Sequence, residues 1–352
     1  MADTAFEKSG GWAGVLGVLT SREDLAGDVA EAAMAEILAG NATPAQIAAF
    51  MVALRMKGET VDELGGLVDA MLGVAATVPL ADPATTMDVV GTGGDRAHTI
   101  NVSTIAAFVV AGAGVKVCKH GNRAASSSCG TADVLEALGV AIDLDADGVG
   151  HCVDEAGMGF CFAPRFHPAF RHAGPPRREL GIATSFNVLG PMTNPGRVRR
   201  HLIGLADVAM ADRMLGVLAA RGTRRAMVVH GDDGLDEVTT TTTTTVTELA
   251  GGAITTWVLD PSEFGIAPAA ADDLRGADAS VNAAAARAVL AGEPGHHRDI
   301  VAINAAVALV VADLADTVAD GYALAGQVLD DGRAADVLDR LVTASNDAAR
   351  AN

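Results

Sequence analysis

The chain has 352 residues, 50% of them hydrophobic and 20% charged, an ordinary globular balance in a length that supports two domains. Its formal charge of −19 disfavours nucleic acid and anionic membrane surfaces as partners, and it obliges any site for phosphates to supply local cations or a metal. Aromatic residues are only 3%, so the core is predicted to be aliphatic, as suits helices packed on a parallel sheet.

Residues 1–12 carry Asp3 and Glu7 and lack the basic flank and apolar run of a signal peptide. Helix signals follow. Ser21 precedes a run with Leu25, Val29, Ala33 and Ile37 on one face, and Gly40 can close it. Thr43-Pro44 opens a second helix with Gln46 as a capping box and Gly58 as its stop; Thr60 and Glu63 repeat the device for a third, to about Gly73. Three linked helices without a strand predict a small helical domain over residues 1–82.

The pattern changes at Met87. Residues 87–90 read as a short aliphatic strand entering a Gly-rich turn, residues 115–117 precede a second such turn, 160–162 are a strand, and 227–229 precede a third turn. Helices are expected between them, at 131–138 and 207–220, and from Asp299 onward. The fold class is therefore α/β: a larger domain over residues 83–352 with a mostly parallel sheet and ligand loops at its carboxyl edge. Residues 170–195, rich in Gly, Pro and Asn, are expected to fold back onto the helical domain. Thr239 to Thr245 are all threonine, and periodicity leaves strand and loop equally open. The longest aliphatic stretch, residues 300–311, is too short to span a bilayer. Cys118, Cys129, Cys152 and Cys161 form no C-x-x-C pair, so reduced thiols in a cytoplasmic, soluble protein are expected.

Four segments carry chemistry. Gly91-Thr92-Gly93-Gly94-Asp95 follows a strand directly, and its glycines allow backbone N–H groups to approach an anion; a tight strand-to-helix connection explains it equally well when it is taken alone. Asn101-Val102-Ser103-Thr104 opens a helix, where it can cap the helix or present free N–H groups to a phosphate and Ser103 to a metal. Lys119, His120, Gly121, Asn122, Arg123, Ala124, Ala125, Ser126 and Ser127 are read as one loop with two cations, the local positive charge that the acidic chain otherwise lacks. After the third strand, Asp236 and Glu237 are candidate magnesium ligands shared with a diphosphate. Lys119 and Arg123 are expected to converge with this carboxylate pair. Arg177, beside Arg178, can pair with a carboxylate, whereas His296 and His297 receive no role.

In this order GTGGD, NVST, KHGNRAASS, FHP (166–168), RRELG (177–181), FNVLGPMTNP (186–195) and GDDGLDE (231–237) resemble the anthranilate phosphoribosyltransferases, from the N-terminal helices to about residue 345. The resemblance implies a helical domain plus an α/β domain, a homodimer, and transfer of the phosphoribosyl group of PRPP to anthranilate with Mg²⁺. It implies PRPP contacts at Gly91, Gly94, Asp95, Thr99, Asn101, Val102, Ser103, Thr104, Lys119, His120, Gly121, Asn122, Arg123, Ala124, Ala125, Ser126, Ser127 and Thr131. It further implies metal contacts at Ser103, Asp236 and Glu237, and anthranilate contacts at Gly91, Asn122 and Arg177. The threonine tract is longer than the family pattern, and Ser128-Cys129 varies the loop's end. The rival activity on this scaffold is a pyrimidine nucleoside phosphorylase, against which the KHGN loop and the downstream Asn-Pro segment argue. A nucleic-acid-binding paralogue would need a basic surface, against the charge of −19.

Overall fold

A computed structural model describes residues 4–124 and 128–351. Five helices come first: α1 (Ala5–Lys8), α2 (Gly11–Thr20), α3 (Gly27–Leu38), α4 (Pro44–Lys57) and α5 (Val61–Val74). The capping boxes at Thr43/Gln46 and Thr60/Glu63 both form. Helix α2 was not anticipated, and α3 starts at Gly27 rather than just after Ser21. The reason is tertiary. Glu63, fully buried, accepts the Leu25 N–H at 2.9 Å and pairs with Lys57 at 2.9 Å, which holds the chain ahead of α3 out of the helix.

The α/β part continues with β1 (Met87–Gly91), α6 (Val102–Gly112), β2 (Val117–Gly121), α7 (Thr131–Leu138), α8 (Ala146–Ala156) and β3 (Met158–Phe162). Short helices α9 (Ala163–Phe166), α10 (Gly174–Leu180) and α11 (Leu189–Met192) lead to β4 (Arg200–Gly204), α12 (Ala211–Ala220), β5 (Arg225–Gly231), β6 (Thr244–Ala250) and β7 (Ala253–Leu259). The chain ends in α13 (Ala279–Leu290), α14 (His296–Val311), α15 (Val318–Asp330) and α16 (Arg333–Ala351). The sheet order is β3-β2-β1-β4-β5-β6-β7, parallel from β3 to β5 and antiparallel across β5-β6 and β6-β7. The chain steps outward from β1 to β2 and β3, then returns to the other side of β1 with β4. This reversal makes the carboxyl ends of β1 and β4 the topological switch point of the sheet, where open α/β sheets bind ligands.

Each face of the sheet has its own cover. Helices α6, α13, α14 and α16 pack on one face, and residues 300–311 of α14 are buried throughout, which explains their unbroken aliphatic run. The bundle, α12 and the 186–192 segment pack on the other face, with α10 against α4 and α11 against α5. Among the described residues no helix is long and apolar enough to cross a membrane. The threonine tract divides: residues 239–243 are loop, and Thr244 begins β6. Its loop part has a local task. Thr239 and Thr241 donate their hydroxyls to Asp233, and Thr243 donates to Asp232. These two carboxylates are thereby committed to the loop.

Candidate active site at the carboxyl edge of the sheet

Strands β1 and β4 end in register at Gly91 and Gly204, and the Asp236 residue lies across both ends. A Cβ on Gly91 would stand 2.7 Å from Asp236 Oδ2, and one on Gly204 only 1.6 Å from the Asp236 carbonyl oxygen. Glycine is required here by space, because any side chain would lift the acidic segment off the sheet. Asp236 Oδ2 accepts the Gly93 N–H at 2.6 Å, in a turn where Gly93 and Gly94 have φ of 67° and 93°. Next to it, Glu237 Oε1 accepts the Ser103 N–H at 3.0 Å in the first turn of α6. The two carboxylates therefore tie the GTGGD turn and the NVST helix start to the end of β5. Asn101 occupies the N-cap position but makes no side-chain cap bond, so capping does not account for it.

Lys119 and His120 lie within β2, not in the loop predicted after residue 117. The strand continues because β1 and β3 flank it on both sides, and its alternation sends the two side chains to opposite faces. Lys119 is 1% exposed; its ammonium donates to the Val89 carbonyl and, at 3.3 Å, to Ser103 Oγ. Burial holds it below the usual lysine range, against the pull of Asp88, Glu237 and Asp236. The carboxylates respond in the opposite sense. Burial raises Glu237 to about 7 although Lys119 opposes the shift, and Asp236 is pushed up by burial, by Glu237 and by Asp95. One buried ammonium among several buried carboxylates leaves the cluster short of positive charge, so the donor set suits a divalent cation. Among the described residues no group of three His, Cys, Asp or Glu side chains forms a ready-made metal cage. Two carboxylates and a hydroxyl, completed by water and phosphate oxygens, match magnesium better than zinc or calcium.

Arg123 behaves differently from the free cation expected beside Lys119. Its guanidinium is paired with Asp133 at 2.7 Å and Glu136 at 2.6 Å and lies over the Phe162 ring at 5.5 Å. Asp133 also accepts the N–H groups of Ala124 and Gly130, at 3.1 and 2.9 Å. Arg123 thus helps to shape its own loop, and its charge is already neutralised. Asn122 accepts the Ala132 N–H at its carbonyl, Thr131 takes the Thr104 hydroxyl at 3.2 Å, and Gly121 leaves room for the Thr131 side chain and the Phe160 ring. Val102 is buried at the start of α6, Thr99 bridges to Arg275, and Asp95 accepts the Ala97 N–H at 3.3 Å. Ala125, Ser126 and Ser127 lie outside the described residues.

Arg177, in α10, stacks over Phe170 at 5.4 Å, and burial lowers its pKa. Among the described residues no carboxylate pairs with it. A partly desolvated guanidinium without a counter-ion is a receptor for one.

Two residues escaped the sequence reading. Asp88, fully buried in β1, accepts the His120 N–H at 3.1 Å and the Asn194 side-chain amide at 2.7 Å; burial raises it to about 6, with Lys119 opposing. A charged residue inside an aliphatic strand was the signal available. His167 was quoted only within FHP. Its ring lies 5.2 Å from that of His120, centroid to centroid. His120 Nδ1 meets the Gly190 carbonyl at 3.0 Å and His167 Nε2 meets that of Thr193 at 3.0 Å. Carbonyls only accept, so both nitrogens are protonated, and among the described residues the lone pairs of His120 Nε2 and His167 Nδ1 have no partner. Burial depresses both rings, His120 to about 3 with the second imidazole contributing, and His167 to about 4. Both are neutral at physiological pH.

Comparison with known proteins agrees over nearly the whole chain. Sequence models of the glycosyl transferase family match twice, the helical bundle domain over residues 14–75 and the a/b domain over residues 83–335. The anthranilate phosphoribosyltransferase of Rhodococcus jostii (strain RHA1) is 57% identical over 335 residues, 94% of this chain and 92% of that one. The enzyme of the same name from Saccharopolyspora erythraea is 52% identical, over 97% and 98%. Among solved structures, anthranilate phosphoribosyltransferase from Thermus thermophilus superposes with a TM-score of 0.89 at 38% identity, covering 94% of this chain and 99% of its own. The Saccharomyces cerevisiae enzyme in complex with PRPP and Mg gives 0.87 at 27% identity, over 96% and 98%.

Proposed function

Because the chain belongs to the anthranilate phosphoribosyltransferase family, we propose that it joins the amine of anthranilate to the 5-phosphoribosyl group of PRPP, releasing pyrophosphate. The observation that carries this reading is the Asp236–Glu237 pair, buried at the switch point and tied to the GTGGD turn and to Ser103. Asp236, Glu237 and Ser103 would hold magnesium, which when bound offsets the charge that builds on departing pyrophosphate. Lys119 would add positive charge behind these ligands through its contact with Ser103, and the Gly93–Gly94 turn would let backbone approach the phosphates. Arg177 would receive the anthranilate carboxylate.

In the reaction the amine nitrogen bonds to the ribose carbon as that carbon loses its bond to the pyrophosphate oxygen, and the nitrogen gives up one proton to water or to the released pyrophosphate. The chain's contribution is chiefly to align two substrates across the cleft and to stabilise the leaving charge. No residue is assigned as an obligatory base. Anthranilate is fluorescent, so loss of its signal on mixing tests the activity. The signal should fall only when protein, PRPP and Mg²⁺ are all present. Turnover without PRPP, or with a nucleoside and phosphate in its place, would overturn the reading.

A further inference from the structure

The phosphate-facing turn is held from behind by a segment that contains none of the motifs. Residues 98–100 pair with residues 274–276: the Gly276 N–H reaches the His98 carbonyl at 2.8 Å, and the Ile100 N–H reaches that of Leu274 at 3.1 Å. Just beyond this strap, Asn282 of α13 is 1% exposed. Its Oδ1 accepts the Ala277 N–H at 2.8 Å, and its Nδ2 donates to Asn101 Oδ1 at 2.9 Å. Asn101 Nδ2 in turn donates to the Cys129 carbonyl at 3.1 Å.

These contacts form a directional chain. A backbone N–H can only donate, so the oxygen of Asn282 must face Ala277 and its NH₂ must face Asn101. The oxygen of Asn101 is thereby fixed toward Asn282, and its NH₂ toward a carbonyl that can only accept. Two amides thus transmit one orientation from a backbone donor to a backbone acceptor. The acceptor end lies in residues 128–130, just ahead of α7, and the middle lies at the start of α6. Gly276 packs so closely that a Cβ there would stand 2.6 Å from Asn282 Oδ1, so position 276 has no room for a side chain beside the amide.

We propose that Asn282 is a positioning residue: it fixes the Asn101 amide and so sets the register between the α6 start and the Cys129 end of the neighbouring loop. Its effect on substrate rests on the proposed function above; its effect on the loop does not. Asn282→Asp keeps the acceptor for Ala277 and exchanges the donor to Asn101 for a second acceptor; it also places a charge beside the Cys129 thiol, which the Asn282 side chain contacts directly. Facing an oxygen, Asn101 must turn, and its own oxygen then opposes the Cys129 carbonyl.

The first readout is thiol alkylation followed by peptide mass analysis. All four cysteines are buried, and Cys129 alone belongs to this relay. Asn282→Ala, which removes the relay without adding charge beside the thiol, should raise the alkylation rate of Cys129 at least tenfold and leave Cys118, Cys152 and Cys161 within twofold of wild type. The second readout is kinetic: KM for PRPP should rise at least tenfold while KM for anthranilate, at saturating PRPP, stays within twofold. Both Asn282→Ala and Asn282→Asp are read for the KM pattern, and Asn282→Ala alone for alkylation. An unchanged Cys129, a parallel rise at all four thiols, or failure of both variants to fold would each reduce Asn282 to a structural residue and overturn the proposal. A selective rise at Cys129 in a protein whose wild type shows no PRPP-dependent turnover would leave the relay standing and refute the site's assigned function.

Discussion

Gly204→Ala places one methyl group against the segment on which the proposed metal site depends. The added Cβ would stand 1.6 Å from the Asp236 carbonyl oxygen and 2.6 Å from its carbon. Real Cβ atoms essentially never approach within 3.0 Å, so the Asp236 peptide must retreat by about 1.4 Å. That movement breaks the 2.6 Å bond from Gly93 and draws Glu237 from its 3.0 Å bond with Ser103. Losing these two hydrogen bonds costs about 1 kcal/mol or more of folding stability each, which is read as a lower Tm. A misplacement of this size is by itself enough for about 100-fold when reacting groups must align. The assay is kcat/KM for PRPP across a Mg²⁺ titration, with circular dichroism and Tm on the same samples. Gly73→Ala, in α5 with open space around its Cβ position, is the control and should retain wild-type rate. If the methyl group prevents folding, Asp236→Asn with Glu237→Gln removes charge without adding bulk and should cost at least about 100-fold. A folded Gly204→Ala protein with wild-type kcat/KM and metal dependence would refute the placement of Asp236 at the reacting centre.

Two further outcomes follow from other groups. Arg177→Ala should raise KM for anthranilate by about 10-fold or more, the value of one charge-assisted hydrogen bond, and leave KM for PRPP nearly unchanged; equal effects in steady-state kinetics would contradict its assignment. His201 is buried, donates to the Val198 carbonyl at 3.1 Å, and is depressed by burial to about 4. Below its ordinary value near 6.5 the unfolded chain binds a proton that the native ring refuses, so this residue lowers stability as pH falls from 6.5 toward 4. His201→Gln keeps a donor and removes the titration. Relative to wild type it should gain about 2 kcal/mol between pH 7.5 and pH 5 in urea unfolding, and an equal difference at both pH values would show that the ring is not buried neutral.

The order of chemical segments was legible in the sequence because each is a local event, a strand ending in glycine or a helix start rich in hydroxyls. Capping boxes at Thr43 and Thr60 were legible for the same reason. What escaped depends on partners distant in sequence. Lys119 and His120 resemble loop residues in composition, yet β1 and β3 draw them into a strand, and the strand's alternation puts them on opposite faces. Arg123 has the composition of a phosphate ligand, and only the fold reveals Asp133 and Glu136 beside it. The threonine tract has no period because it serves two elements, a loop that holds Asp232 and Asp233 and a strand that pairs with β5 and β7. Strands β4 and β7 were not anticipated, and β6 only as one of two open readings of the threonine tract; β4 begins with Arg200 and His201, whose polarity masks a fully buried central strand.

The most direct measurement is a crystal structure with PRPP and Mn²⁺ in place of Mg²⁺, recorded at a wavelength where manganese scatters anomalously. An anomalous peak about 2.2 Å from carboxylate oxygens of Asp236 and Glu237, bridging to the diphosphate, is the predicted result. Bound PRPP with its metal elsewhere, and these two side chains still turned only to Gly93 and Ser103, would contradict it.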